Sequence, residues 1–161
     1  VYVNCQPNQL QMRSQICNTG TQAFDWTGGL HPYFYVDDLL QTHLLGLADV
    51  SFEDRYATDL SALVPSEADV RFDGQPLERL YLGTPTLELV QAQRRIKLDC
   101  TGFSQWMIWN PGQAGEVHFS DLPPGDWRHF ICIEPVIAKQ AHRLEPTQVF
   151  EGMLHVQLMH V

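Results

Sequence analysis

The chain has 161 residues, of which 44% are hydrophobic and 18% are charged, and its formal net charge is -9. This length fits a single domain over residues 1–161, and the composition is that of a folded globular protein rather than a disordered one. The negative charge argues against a nucleic-acid partner, which needs a cationic face, and no apolar run approaches the roughly 20 residues that cross a membrane.

The chain begins in an alternating stretch, Val1 to Cys5, with no initiator methionine and no signal-peptide pattern. We interpret it as the C-terminal portion of a longer protein.

The chain has four cysteines, Cys5, Cys17, Cys100 and Cys132, and none forms a CxxC pair. Disulfides remain formally open, but buried free thiols in a reducing, cytoplasmic compartment are the simpler expectation.

Alternation of period two runs through most of the chain and predicts strands separated by turn residues. The stretch Ser51–Asp69 is the most polar and is interpreted as a loop, with room for one turn of helix at Thr58–Leu63. Around ten short strands with this spacing favour an all-β, antiparallel sandwich or barrel. The expected strands are Val1–Cys5, Leu10–Ile16, Gln22–Trp26, Gly29–Val36, Thr42–Leu47, Glu78–Gly83, Leu87–Ala92, Arg94–Asp99, Gln105–Trp109, Phe130–Pro135 and Gln148–His160.

One expected strand, Gly29–Val36, carries a histidine among aromatic residues. Residues two apart share a face of a strand, so His31, Tyr33 and Tyr35 point one way and apolar residues point the other. Aromatic rings beside an imidazole suit a sugar, which offers C–H faces and hydroxyl groups. The alternative is a histidine that is only hydrogen-bonded within the sheet.

A glutamate, Glu134, interrupts the apolar run from Phe130 to Ile137. An unpaired carboxylate in a central strand costs several kcal/mol, so this residue is paired, protonated or turned toward a polar cavity. Partial desolvation would raise its pKa toward neutrality and make it a better base. The alternative is a structural salt bridge with an arginine. Together, His31 and Glu134 suggest an acid and a base that face one ligand.

The tryptophans near the middle of the chain are a further candidate for ligand contact. Trp106 and Trp109 are three residues apart and therefore lie on opposite faces of a strand, one in the core and one free to contact a sugar from below.

The histidines do not predict a metal site. No HxH or HExxH pattern links the seven histidines, and His155 and His160 face opposite ways. We therefore expect no metal and no cofactor.

Four blocks, in this order, resemble the signature of the aldose 1-epimerase (galactose mutarotase-like) superfamily, and within it the hexose-6-phosphate mutarotase branch. The blocks are Leu30–Asp38, Glu78–Leu82, Trp109–Pro111 and Phe130–Glu134. The resemblance implies an antiparallel β-supersandwich and interconversion of the α and β anomers of a sugar without a cofactor.

The resemblance also implies roles for individual residues. His31 is the expected general acid on the ring oxygen, and Glu134 the general base on the anomeric hydroxyl. Glu78 stands where the family usually has an aspartate that binds sugar hydroxyls, and its longer side chain puts that contact in doubt. We assign Tyr33, Trp109 and Asn110 to substrate binding as well.

The resemblance extends from about Gln9 to the C-terminus. Family members carry a further N-terminal portion, including arginines thought to hold the sugar phosphate, so the sandwich is expected to be incomplete at its N-terminus. The partner is a small-molecule sugar or sugar phosphate. Exposed sheet edges also make a homodimer conceivable.

Three functions follow from these observations. The first is a carbohydrate epimerase (mutarotase) that acts on an aldohexose or a hexose 6-phosphate. The alternative is a non-catalytic carbohydrate-binding or regulatory module of the same fold. The third is a structural β-domain, in which Glu134 would be buried against an arginine and His31 exposed.

Overall fold

The structure is a computed structural model that describes residues 1–59 and 62–160. Antiparallel strands dominate, as the alternation predicts, and fourteen of them lie in the described ranges. They are β1 (Tyr2–Gln6), β2 (Gln9–Cys17), β3 (Phe24–Gly29), β4 (Tyr33–Tyr35), β5 (His43–Leu45), β6 (Ser51–Asp54), β7 (Val64–Pro65), β8 (Asp69–Arg71), β9 (Leu77–Tyr81), β10 (Leu87–Val90), β11 (Arg94–Thr101), β12 (Gln105–Asn110), β13 (Phe130–Leu144) and β14 (Val149–His160). Within the same ranges, helical structure is confined to short pieces: α1 (Gly112–Gly115) and 3-10 turns at Leu39–Gln41, Glu116–His118 and Asp126–His129.

The strands form two sheets that pack face to face around one core. The first sheet has the order β1-β2-β14-β11-β10-β5-β8, and the second has the order β3-β13-β12-β9-β6-β7, with β4 also paired to β13. Side chains of both sheets fill the space between them, among them Leu89 and Leu98 from the first and Trp106 and Ile133 from the second. This arrangement confirms the prediction of an all-β antiparallel sandwich.

Strand β13 lies inside the second sheet. It pairs with β12 along one side, and with β3 and β4 along the other. Because side chains alternate along a strand, Ile131 and Ile133 enter the core, whereas Cys132 and Glu134 point to the opposite face. We call this opposite face of the second sheet the site face.

Two details of the expected secondary structure were wrong. His31 does not lie within a strand, because Leu30–Pro32 link β3 to β4 without joining the ladder. This fits Pro32, which lacks a backbone donor. The stretch Ser51–Asp69 is not only loop, since it contains β6 and β7; part of the helical turn considered at Thr58–Leu63 lies outside the described residues.

The cysteines and the helices test two further expectations. All four thiols are free, but burial holds fully only for Cys132, partly for Cys100, and not for Cys5 and Cys17, which are exposed on the first sheet. Cys5 lies in the edge strand β1, whose residues are all exposed, and Cys17 lies at the exposed end of the neighbouring strand β2. In the described part of the chain, no helix has the length and apolarity needed to span a membrane.

Candidate functional site

The structure brings His31 and Glu134 together on the site face. The Nε2 atom of His31 lies 3.3 Å from Oε1 of Glu134. The His31 side chain is 52% exposed, whereas that of Glu134 is only 10% exposed. A solvent-accessible imidazole therefore meets a nearly buried carboxyl group, and no arginine takes that place in the described residues.

The position of His31 follows from the close approach of β3 to β13. A Cβ atom on Gly29 would lie 2.4 Å from the carbonyl oxygen of Pro135, so only glycine allows this contact. The next residue, Leu30, donates its backbone N–H to the same oxygen at 3.1 Å and buries its side chain. These two contacts fix the chain directly before His31 and direct the imidazole toward Glu134.

The surroundings of Glu134 change its acidity. Burial raises the pKa of Glu134 to about 7, and the carboxylate of Glu78 contributes to the rise. An ordinary glutamate is ionised at all pH values near neutrality, whereas this one exchanges its proton there. That property is what a general base at neutral pH requires.

Aromatic rings hold the imidazole from two sides. Tyr33 stacks on His31 with ring centroids 5.2 Å apart and planes 12° from parallel, and Trp109 approaches edge-on at 6.0 Å. Both rings also pack against Phe130. The two tryptophans lie as predicted on opposite faces, with Trp106 in the core and Trp109 on the site face. The rings thus form a wall beside the acid–base pair.

Glu78 lies on the same face, two strands from β13. Its direct neighbour across the ladder is Trp109, and its carboxylate pairs with Arg55 at 3.0 Å. A cleft of about 390 Å³ extends from this point along the site face, beside Met107, the ladder partner of Glu134. The cleft is lined by Glu53, Asp54, Arg55, Glu78, Leu80, Met107, Ala138 and Lys139.

Asn110 is placed differently from the other expected substrate-binding residues. It is 1% exposed, and its amide nitrogen donates to the backbone oxygens of Trp127 and Phe130, both at 2.9 Å. Its amide oxygen accepts from Gly112 N at 2.8 Å. These bonds hold the loops after β12 and before β13, and the amide group is not presented on the site face.

Cys132 is a site residue that the sequence reasoning passed over as one more apolar member of a buried strand. Its Sγ, a nitrogen of His31 and an oxygen of Glu134 all lie within 4.8 Å of one another. Burial, and secondarily the Glu134 carboxylate, raise the pKa of the Cys132 thiol. The available signal was its position two residues before Glu134, which places both side chains on one face of the strand.

Comparison with known families gives a match over nearly the whole chain. The sequence model of a family described as aldose 1-epimerase matches residues 5–157. A protein of Cenchrus ciliaris named "Putative glucose-6-phosphate 1-epimerase" is 23% identical over 150 residues, which are 90% of this chain and 45% of that protein. A protein of the same name from Escherichia coli K12 is 25% identical over 124 residues, covering 75% of this chain and 41% of its own length. The chain thus spans less than half the length of these relatives.

Solved structures show the same fold at lower identity. A structure from Salmonella typhimurium described as "a putative mutarotase" superposes with a TM-score of 0.78 and 19% identity, over 99% of this chain and 64% of that one. A "Putative aldose 1-epimerase" from Escherichia coli K12 gives a TM-score of 0.77 with 14% identity, over 99% of this chain and 59% of that one. The sandwich is therefore of the galactose mutarotase-like type.

Proposed function

The chain belongs to the aldose 1-epimerase family, and from that premise we propose that it interconverts the α and β anomers of an aldohexose or a hexose 6-phosphate. His31 serves as general acid and Glu134 as general base. The approach of His31 Nε2 to Glu134 Oε1, 3.3 Å apart at the edge of an open aromatic surface, is the observation that carries the proposal. Its chemistry needs an acid and a base that reach two oxygens of the same sugar carbon.

The reaction is a balanced pair of proton transfers. Glu134 accepts the proton of the anomeric hydroxyl while protonated His31 gives its proton to the ring oxygen. The bond between C1 and the ring oxygen breaks, and an open-chain aldehyde results. Rotation about the C1–C2 bond presents the other face of the carbonyl, after which the groups exchange roles. Ring closure returns the proton to His31 and the charge to Glu134.

The walls of the site suit the other requirements of a sugar. Tyr33 and Trp109 offer ring surfaces for C–H groups, and we propose Glu78 as an acceptor for sugar hydroxyls. Two observations support this role. Glu78 is the ladder neighbour of Trp109, and its negative charge raises the pKa of Glu134. Asn110 instead supports the site indirectly, through the backbone that it holds.

The charges of the cleft bear on whether the sugar is phosphorylated. Its two cations, Arg55 and Lys139, already pair with the carboxylates of Glu78 and Glu53. A phosphate group in the described cleft would have to compete with these carboxylates, whereas a neutral hexose would not. The relatives, however, are named for glucose 6-phosphate, so both substrates belong in the test.

Anomer exchange followed by NMR tests the proposal directly. Glucose, galactose and glucose 6-phosphate are each compared with and without the 161-residue chain, after subtraction of spontaneous exchange. Faster exchange is expected for at least one of them, and the order of the rates identifies the preferred sugar. Binding without faster exchange would refute the catalytic role and leave a sugar-binding module, and the absence of both would refute the proposal for this chain.

A further inference from the structure

Cys132 is an ionisable group beside the acid–base pair, and the proposed reaction does not use it. We propose that Cys132, His31 and Glu134 form a binding site for zinc or another thiophilic divalent cation, and that this ion inhibits the enzyme. The inhibitory part rests on the proposed function; the binding site itself does not. The site is defined by three ligand atoms of three kinds, sulfur, nitrogen and oxygen, which lie within 4.8 Å of one another.

These are the donor atoms that zinc prefers. Zinc binds thiolate sulfur at about 2.3 Å and imidazole nitrogen or carboxylate oxygen at about 2.0–2.2 Å, in a tetrahedral arrangement. Tetrahedral ligands at these bond lengths are roughly 3.3–3.8 Å apart. The 3.3 Å between His31 and Glu134 already meets this spacing, and the thiol needs an adjustment of at most about an ångström, within reach of side-chain rotation.

The cluster is open to solvent on one side, and a nearby carboxylate adds negative charge that attracts a cation. The half-exposed imidazole of His31 is the solvent side of the cluster, while the sulfur and the carboxylate form its floor. The nearby carboxylate of Glu78 adds to the negative potential. Magnesium is expected not to bind, because it requires octahedral oxygen ligands and the cluster offers a single carboxylate.

A metal ion bound at this site would disable both groups that transfer protons in the proposed reaction. A metal bound to Nε2 of His31 leaves that nitrogen unable to carry a proton, and a metal bound to Glu134 competes with the proton that the base must accept. Three protein ligands leave one tetrahedral position open, which water or a sugar hydroxyl can fill. The ion therefore blocks proton transfer without needing to exclude the sugar.

Cobalt(II) provides a test of binding that needs no turnover. Its bonds to thiolate sulfur give a charge-transfer absorption in the near ultraviolet, so the spectrum reports directly whether Cys132 is a ligand. The exposed thiols are first removed as C5S and C17S. The absorption is expected to persist in this background and after C100S, the matched control, and to disappear after C132S or H31N. H31N changes a half-exposed side chain, so it keeps the test meaningful if C132S does not fold.

Zinc inhibition is measured on anomer exchange in the same variants, each against its own rate in chelator. An equimolar amount of zinc is expected to slow the C5S/C17S protein by about tenfold or more, and magnesium to have no effect. Cobalt absorption that survives C132S, or zinc inhibition of equal strength in C132S, would overturn the inference. A chain that binds cobalt through Cys132 but never accelerates exchange would retain the metal site and refute both the proposed function and the inhibition.

Discussion

Burial raises the pKa of Glu134, and Glu78, which lies on the same face of the sheet two strands away, raises it further. The pKa of the proposed base therefore depends on a residue that is itself a candidate to contact the sugar. This coupling would make the pH dependence of the proposed reaction sensitive to a position outside the acid–base pair.

The first prediction concerns that pH dependence. Because Glu134 must be ionised while His31 is protonated, kcat/KM is expected to follow a bell-shaped pH profile, and its rise with increasing pH is set by Glu134 and centred near pH 7. E78Q removes the neighbouring charge, so the pKa of Glu134 falls and the midpoint of the rise moves to lower pH. Initial rates of anomer exchange between pH 5 and pH 8 give the profile. E88Q, a glutamate of the first sheet, is the control and should leave the midpoint in place.

The second prediction concerns stability. The folded-state pKa of Glu134 lies above the ordinary value of 4.5. Below pH 4.5 this carboxyl group is protonated in both the folded and the unfolded chain, so it does not lower the free energy of unfolding there. Between pH 4.5 and about 7 the unfolded chain ionises first, and the free energy of unfolding falls with increasing pH by about 3 kcal/mol. E134Q removes this loss and is expected to be more stable than the parent by a similar amount at pH 8.

Denaturant unfolding of both proteins at pH 4 and pH 8 measures this difference. The gain from E134Q should be large at pH 8 and small at pH 4, while E88Q should show no such divergence. An E134Q protein that is less stable than the parent at pH 8 would contradict the conclusion that burial disfavours the ionised carboxyl group at this position.

The third prediction concerns the two proposed catalytic groups. H31N and E134Q each remove one proton-transfer partner and are expected to lower kcat by about 100-fold or more. H155N serves as the matched control, because His155 lies on the first sheet and contacts Gln11 instead of the site. Exchange measured at substrate saturation separates this effect from weaker binding, and a near-normal kcat in either variant would remove that residue from the mechanism.

The fourth prediction separates the role of Asn110 from substrate binding. N110A leaves the backbone oxygens of Trp127 and Phe130 and the N–H of Gly112 without their buried partner, which is expected to cost about 3 kcal/mol or more of folding stability. N110D keeps one acceptor but loses both donors, and should also be destabilised. Folded N110A at low temperature should bind sugar with a KM close to that of the parent; a large rise in KM at unchanged stability would place the amide at the substrate.

The sequence predicted the parts of the site that depend on local patterning. Glu134 stood out because a carboxyl group in an apolar strand needs a special environment, and the alternation around His31 placed Tyr33 and Tyr35 on its exposed side correctly. The assignment of Asn110 to substrate binding could not be checked from sequence, since an asparagine at the end of a strand looks the same whether its amide binds a ligand or the backbone. His31 meets Glu134 because β3 and β4 both pair with β13. Strand pairing between segments this far apart in sequence cannot be predicted from the residue pattern of either segment alone.

The break in the ladder at Leu30–Pro32 has a consequence for the entry of substrate. Leu30 is anchored to Pro135 on one side, and the ladder resumes at Tyr33 on the other, so a rotation of the His31 side chain would leave both anchors in place. In the proposed reaction, moving His31 away from Glu134 to admit a sugar would disturb its ring contacts with Tyr33 and Trp109, each worth about 0.5–1.5 kcal/mol, and would leave the hydrogen bonds of the sheet intact. In the proposed reaction, access to Glu134 would therefore depend on the rotation of a single side chain, at a free-energy cost small enough to be met in every turnover.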